Sequence, residues 1–303
     1  MIYTVTVNPS VDYIIHLLHL KIGKINRMQY STILPGGKGI NVSRILNELN
    51  CSNVAWGFLG GFTGNFIENE LIKLNLNTDF VSIKEETRLN VKIKGQTETE
   101  INGQGPHITF QELNDFKAKF SALTTNDIVI FAGSLLPDLK ENFYFELIKI
   151  IKQKKAQFVI DTTGESLLKT LSQHPLVVKP NNYELAAMFN VKLKNMTDIV
   201  KYGKKLLKMG AQNVLISMAA KGGLMITPHK IYHSLAPQGI VVNSVGAGDS
   251  MLAGFVGKYT QTHDILEAFR YGIACGSATA FTEDLANYHQ IMKLVSQIKI
   301  TEY

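Results

Sequence analysis

Asn243-Ser-Val-Gly-Ala-Gly-Asp-Ser250 decides how this chain is read. It follows a β-like apolar run, Gly239–Val242, and opens an apolar helical pattern that continues to Tyr259. A glycine-rich turn at a helix start leaves backbone N–H groups pointing outward, which suits phosphate oxygens. The spacing predicts a strand, a turn built on Gly246, Ala247 and Gly248, and a helix carrying Asp249 in its first turn. Met251 stands where a dinucleotide fingerprint needs its third glycine, and no Gly-Lys-Ser/Thr closes a phosphate loop, so those two motifs are excluded. By itself Asp249 reads equally as a proton acceptor and as a first-turn acid favoured by the helix dipole.

Working outward, short β runs alternate with helical spacing. Val54–Phe58, Ile128–Ala132, Phe158–Asp161, Leu176–Lys179 and Val214–Ser217 read as strands, with helices over Ile40–Asn50, Asn142–Lys154 and Ile199–Met209. After the glycine turn come three helices, Ala247–Tyr259, Ile265–Phe281 and Tyr288–Ile298. This order predicts an α/β doubly wound, mostly parallel sheet with helices on both faces, formed by residues 1–303 as a single domain. Two segments, about 11–34 and 80–103, break the alternation. Polar and β-branched residues take turns in Asn90-Val-Lys-Ile-Lys94, so antiparallel strands forming a small lid are expected there.

Composition narrows the functional classes. The chain has 303 residues, 45% hydrophobic and 18% charged, enough to bury a sizeable core. Its net charge of +6 comes largely from helical lysine patterns such as Lys152-Gln-Lys-Lys155, without the interleaved aromatics of a nucleic-acid surface. No nucleic-acid or membrane partner is expected. Cys51 and Cys275 have no metal or redox spacing, and the first residues carry neither a basic start nor a long apolar run, so a reduced, cytoplasmic setting is expected. The eight histidines form no metal-ligand pattern.

A second glycine-rich segment is Pro35-Gly-Gly-Lys-Gly-Ile-Asn-Val-Ser-Arg44. Gly36 and Gly37 allow close approach to the backbone, Lys38 offers a cation, and Asn41 projects from the first turn of the next helix. A polyol fits such a loop, although a flexible turn has the same composition.

Taken together the segments resemble the ribokinase-like (PfkB-type) carbohydrate kinase family. The resemblance rests on Gly36-Gly-Lys-Gly-Ile-Asn-Val42 and Asn243–Ser250, extended by Thr4-Val-Thr-Val-Asn-Pro-Ser-Val-Asp12, Gly133-Ser134, Asp161-Thr-Thr-Gly-Glu165 and Lys179-Pro-Asn-Asn-Tyr-Glu184 in the family's order. It implies ATP-dependent phosphorylation of a sugar phosphate, with Mg2+ as companion of the nucleotide and a homodimer formed through the lid strands. Thr87-Arg-Leu-Asn-Val-Lys-Ile93 and Thr99-Glu-Ile-Asn-Gly103 narrow the expected acceptor to the 6-hydroxyl of fructose 1-phosphate. Tagatose 6-phosphate and fructose 6-phosphate are the alternative acceptors, and a non-catalytic sugar-phosphate sensor is the alternative class.

The resemblance also implies roles. Asp249 is the general base, with the amides of Gly246, Ala247 and Gly248 stabilising the transferred phosphoryl group. Asp12, Gly36, Gly37 and Asn41 surround the sugar. Its existing phosphate is expected at Arg27, Lys38, Arg88, Asn90 and Ser134. ATP is expected at Ser217, Gly222, Gly248, Asp249 and Gly276, and Asn181 and Glu184 would hold magnesium through water. Without the family, Asn181 is simply a helix cap and Glu184 a first-turn acid. Ala219 stands where the family's nucleotide loop has glycine, which puts that backbone's geometry in question.

Overall fold

The computed structural model describes residues 1–303, and its first strand, β1 (Ile2–Thr6), runs through the centre of the molecule. Helices cover both faces of β1, so its sequence is nearly continuous in apolar residues. The chain then leaves the core as β2 (Ser10–His16) and β3 (Tyr30–Gly36), an antiparallel pair. It returns through α1 (Lys38–Glu48) into β4 (Asn53–Gly60), parallel to β1. Ile40, Val42, Ile45 and Leu46 form the buried stripe of α1, and each such side chain contributes roughly 1.5–3 kcal/mol.

The helix α2 (Gly61–Lys73) leads to two short strands, β5 (Asn77–Thr78) and β6 (Val81–Ile83), both parallel to β4. A second excursion, β7 (Arg88–Lys94) and β8 (Thr99–Asn102), joins the first in a separate sheet of order β3-β2-β7-β8. This sheet is mixed: β2 pairs parallel with β7, whereas its outer pairs are antiparallel. The sequence-based expectation of antiparallel strands is corrected at that central pair, because both excursions leave the core in the same direction. The segment near residue 80 is also divided. Val81 and Ile83 are buried against the main sheet, and only the stretch from Arg88 joins the small one.

The main sheet grows through α3 (Phe110–Lys119), β9 (Ile128–Ala132), α4 (Phe143–Gln153) and β10 (Gln157–Asp161) to the parallel order β10-β9-β1-β4-β5. Alternate residues of β9 serve opposite cores: Val129 and Phe131 on one face, Ile128 and Ile130 on the other. Beyond α5 (Gly164–Leu171), the expected strand Leu176–Lys179 is reduced to single bridges, Val178 with Ile160 and Val214. Pro175 and Pro180 flank it and give no N–H to a ladder. Past α6 (Asn182–Met188) and α7 (Met196–Lys208), the sheet continues as β11 (Val214–Ser217), β12 (Gly223–Ile226) and β13 (Ile231–Ser234), all antiparallel.

Gly239–Val242 is not the strand its apolar composition predicts. Ile240, Val241 and Val242 are exposed, and no neighbouring strand lies beside them. The chain then enters α8 (Ala247–Thr262), packs α9 (Ile265–Ala280) and α10 (Tyr288–Val295) behind it, and ends with β14 (Ile300–Glu302) on β13. No helix is long and apolar enough to cross a membrane.

Candidate active site

The carboxyl ends of the parallel strands gather the chemistry, the usual ligand edge of such a sheet. Gly133 and Ser134 follow β9, Asp161 ends β10, and Lys179 and Asn181 lie between β10 and Ser217 at the end of β11. The start of α8 faces them.

Gly246 caps α8 in the left-handed region, with φ +76°, where glycine carries no penalty. The first helical hydrogen bond runs from Ser250 N–H to Gly246 O at 2.8 Å, while Ala247 N–H donates to Ser244 O at 3.3 Å. The amides that precede the ladder without that turn bond are therefore those of Gly248 and Asp249, one residue further on than the expected set. A side chain at Gly248 would come within 3.1 Å of Lys179 Nζ, so the glycine lets an ammonium approach this turn.

Asp249 is 6% exposed and accepts a hydrogen bond from Asn41 Nδ2 at 2.8 Å. Its carboxyl is pushed up to about 6, first by burial and then by the charge of Asp161, against the pull of Asn41, Lys38 and Lys179. Asp161 in turn draws both lysines: Lys179 Nζ lies 3.5 Å from Oδ1 and Lys38 Nζ 4.0 Å from Oδ2. That attraction raises Lys38 above its ordinary value despite burial. Asp161 Oδ2 is buried and has no hydrogen-bond partner. Two carboxylates and two ammoniums thus interlock at the sheet edge.

Asp12 occupies the opposite wall. Its Oδ1 accepts from Ser10 Oγ at 2.8 Å and Asn90 Nδ2 at 3.0 Å, and Oδ2 pairs with Lys92 Nζ at 2.8 Å. Gly36 is required here, because a Cβ would sit 2.6 Å from Asp12 Oδ1. Asp12, Gly36, Asn41 and Lys92 line one cleft together with Asn243 and Asp284. The two glycine-rich segments, 208 residues apart at Asn41 and Asp249, meet across it.

Several expected contacts take other forms. Arg88 turns inward and donates to three backbone carbonyls, those of Asn8, Pro9 and Gly103, so it ties the small sheet to the end of β1. Asn90 is likewise engaged, with Ser10, Asp12 and the amide of Gly103. Arg27 lies exposed on the connection between β2 and β3. Gly37, at φ +133°, has its missing side chain replaced by Thr6 Cγ2, and a Cβ at Gly133, the residue before Ser134, would lie 3.8 Å from Lys38 Cβ.

In the loop expected from sequence to take the nucleotide, a side chain at Gly222 would strike Ser234 O, so glycine is obligatory there. Ala219 keeps the left-handed backbone, φ +50°, that glycine would adopt without strain. The loop's geometry survives the substitution at a cost of about 1–2 kcal/mol. Gly276 meets Ala247 O and Met251 Cβ, giving it a helix-packing role between α8 and α9. Asn181 and Glu184 form a reciprocal cap: Asn181 Oδ1 accepts from the Glu184 amide at 2.8 Å and Glu184 Oε2 accepts from the Asn181 amide at 2.8 Å. No group of three or more His, Cys, Asp or Glu side chains is arranged to hold a metal directly.

Lys92, Asp161 and Lys179 belong to this site without having been assigned to it from sequence. Asp161 and Lys179 were visible as motif members, whereas Lys92 looked like one more lysine in an alternating strand.

The chain is similar to known proteins along its whole length. The model of the pfkB family carbohydrate kinases matches residues 6–289. The 1-phosphofructokinase of Bacillus subtilis is 45% identical over 301 residues, covering 99% of either chain. The D-tagatose-1-phosphate kinase of Bacillus licheniformis is 37% identical over 302 residues, again 99% of each. Among solved structures, phosphofructokinase-2 from Escherichia coli in complex with substrates and products superposes with a TM-score of 0.93 at 26% identity over 98% of both chains. The fold is the ribokinase-like one.

Proposed function

This chain belongs to the pfkB family of carbohydrate kinases, and from that premise we propose that it transfers the γ-phosphate of ATP to the 6-hydroxyl of fructose 1-phosphate. The products are fructose 1,6-bisphosphate and ADP. The observation that carries this reading is the buried Asp249, held by Asn41 and pushed up to about 6, at the head of a helix whose first amides face the sheet edge. A carboxylate so placed is ionised at neutral pH yet basic enough to take the hydroxyl proton as the O–P bond forms. The amides of Gly248 and Asp249 stabilise charge on the transferred group.

The remaining residues divide by position. Asp12, Gly36, Gly37 and Asn41 hold the sugar, and Lys38, Ser134 and Arg27 meet its phosphate. Arg88 and Asn90 act by shaping this wall, since their polar groups are engaged by neighbours. Ser217 and Gly222 form the nucleotide loop. Magnesium bound with ATP supplies positive charge shared among the phosphates. Asn181 and Glu184 would hold it through water, for only Oε2 of Glu184 is engaged in the cap and Asp161 Oδ2 is buried without a hydrogen-bond partner. The exposed Ile33, Leu89 and Ile101 give one face of the small sheet an apolar surface across which two copies pair.

Specificity constants for fructose 1-phosphate, tagatose 6-phosphate and fructose 6-phosphate, measured side by side, test the substrate. A clear preference for fructose 1-phosphate is expected, and equal constants reject it. Sedimentation of Ile101→Glu beside the unaltered chain tests the pairing, with a monomer expected only for the variant.

A further inference from the structure

Lys92 sits in the middle of β7, 8% exposed, and its ammonium reaches across the small sheet to Asp12. Packing alone does not ask for this arrangement, since apolar side chains of similar volume stabilise such a position at least as well as a buried ion pair. The pair instead lines the cleft that Asn41 connects to Asp249.

Its hydrogen-bonding capacity is nearly determined. A carboxylate offers about four acceptor positions and an ammonium three donors. Ser10 and Asn90 occupy Asp12 Oδ1, and Lys92 takes one position on Oδ2. One acceptor remains on Oδ2, next to the further N–H groups of Lys92. A phosphate suits this poorly, because Asp12 neutralises the lysine and repels the anion. Two neighbouring hydroxyls suit it well, one donating to Oδ2 and the other accepting from Nζ. The other cations of the cleft are already paired, Arg44 with Asp284 and Lys94 with Glu98.

Resting on the kinase reading above, we propose that Lys92 is a specificity-determining residue that, with Asp12, reads the relative configuration of two adjacent sugar hydroxyls. A donor beside an acceptor, 2.8 Å apart, distinguishes hydroxyls on the same side of a ring from those on opposite sides. The substrates it separates are ketose phosphates epimeric at one ring carbon, such as fructose 1-phosphate and tagatose 1-phosphate.

The test is steady-state kinetics of the full chain, Lys92→Met and Lys92→Gln on both epimers with saturating ATP. Lys92→Met, nearly isosteric, is expected to raise KM for the preferred epimer about 10- to 100-fold with kcat within about threefold, and to bring the ratio of specificity constants close to one. Lys92→Gln, which keeps a neutral donor, is expected to retain part of the ratio. A merely structural lysine would lower activity toward both epimers alike, so an unchanged ratio in Lys92→Met overturns the proposal while leaving the kinase reading intact. No turnover of either epimer by the unaltered chain overturns both.

Discussion

Asp12 lines the cleft and Asp249 is joined to it through Asn41, and the surroundings of these two carboxylates treat them in opposite ways. Asp12 accepts from Ser10, Asn90 and Lys92. Asp249 accepts from Asn41 and is crowded by the charge of Asp161, while the two nearby lysines turn toward Asp161. A carboxylate whose lone pairs are occupied orients what it touches. One with few donors, buried beside another negative charge, is ready to accept a proton. With the roles proposed above, the difference in donors, not in residue type, separates binder from base.

The largest effect expected from this contrast is on turnover. Asp249→Asn keeps the shape and the Asn41 neighbour but removes the proton acceptor, so kcat should fall roughly 10²- to 10⁴-fold. Sugar-phosphate binding, followed by titration calorimetry, should change little, because the base acts mainly in the transition state. Turnover within a few-fold of the unaltered chain would erase the distinction between the two carboxylates.

The same contrast predicts a pH profile. Below about 6 Asp249 takes up a proton and can no longer accept one from the hydroxyl, so kcat should fall about tenfold per pH unit there and level off above. A profile that is flat between pH 5 and 8, with saturation checked at each point, removes Asp249 from the proton transfer.

Stability should move in opposite directions at the two sites. Asp12→Ala leaves Lys92 without its partner and is expected to lower stability by about 3 kcal/mol in denaturant titrations, most of it regained when Lys92→Met is added. Asp249→Asn should instead stabilise. The folded carboxyl is raised from 3.8 to about 6, so its contribution is fully present below pH 3.8 and is lost as pH rises through about 6. Above that, replacing it with Asn should recover on the order of 3 kcal/mol, with no gain near pH 3.5. Equal loss at both sites would mean that the two environments are not opposed.

Half of this contrast was legible in the sequence. Asp249 and its glycine turn form a local signal, because helix start, left-handed Gly246 and first-turn acid all fall within a few residues. Individual strands were legible for the same reason in Ile128–Ala132 and Val214–Ser217, where short apolar runs form strands with the expected limits. The partners were not legible. Lys92 and Asp12 come from separate excursions of the chain, and Asp161 meets Lys38 only after four intervening strands of the main sheet, β4, β5, β6 and β9, are laid down. Gly239–Val242 failed for a related reason: β-branched composition marks a strand only when another strand lies alongside, and here none does. The inward turn of Arg88 depends on carbonyls of Asn8, Pro9 and Gly103, which no side-chain motif announces.

The smallest predicted effect isolates the donor count itself. Asn41 gives Asp249 its side-chain hydrogen bond and opposes the upward push of burial. Asn41→Ala should therefore move the midpoint of the kcat profile above about 6, by a further unit or less, since one hydrogen bond to the charged form is removed. The shift must be upward: losing a donor disfavours the carboxylate and retains the proton to higher pH. Asn41 also lines the cleft, so KM for the sugar should rise as well, but only the midpoint reports on Asp249. A midpoint that stays in place or falls would show that burial and Asp161 alone set the proton affinity of Asp249, and that donor count does not distinguish it from Asp12.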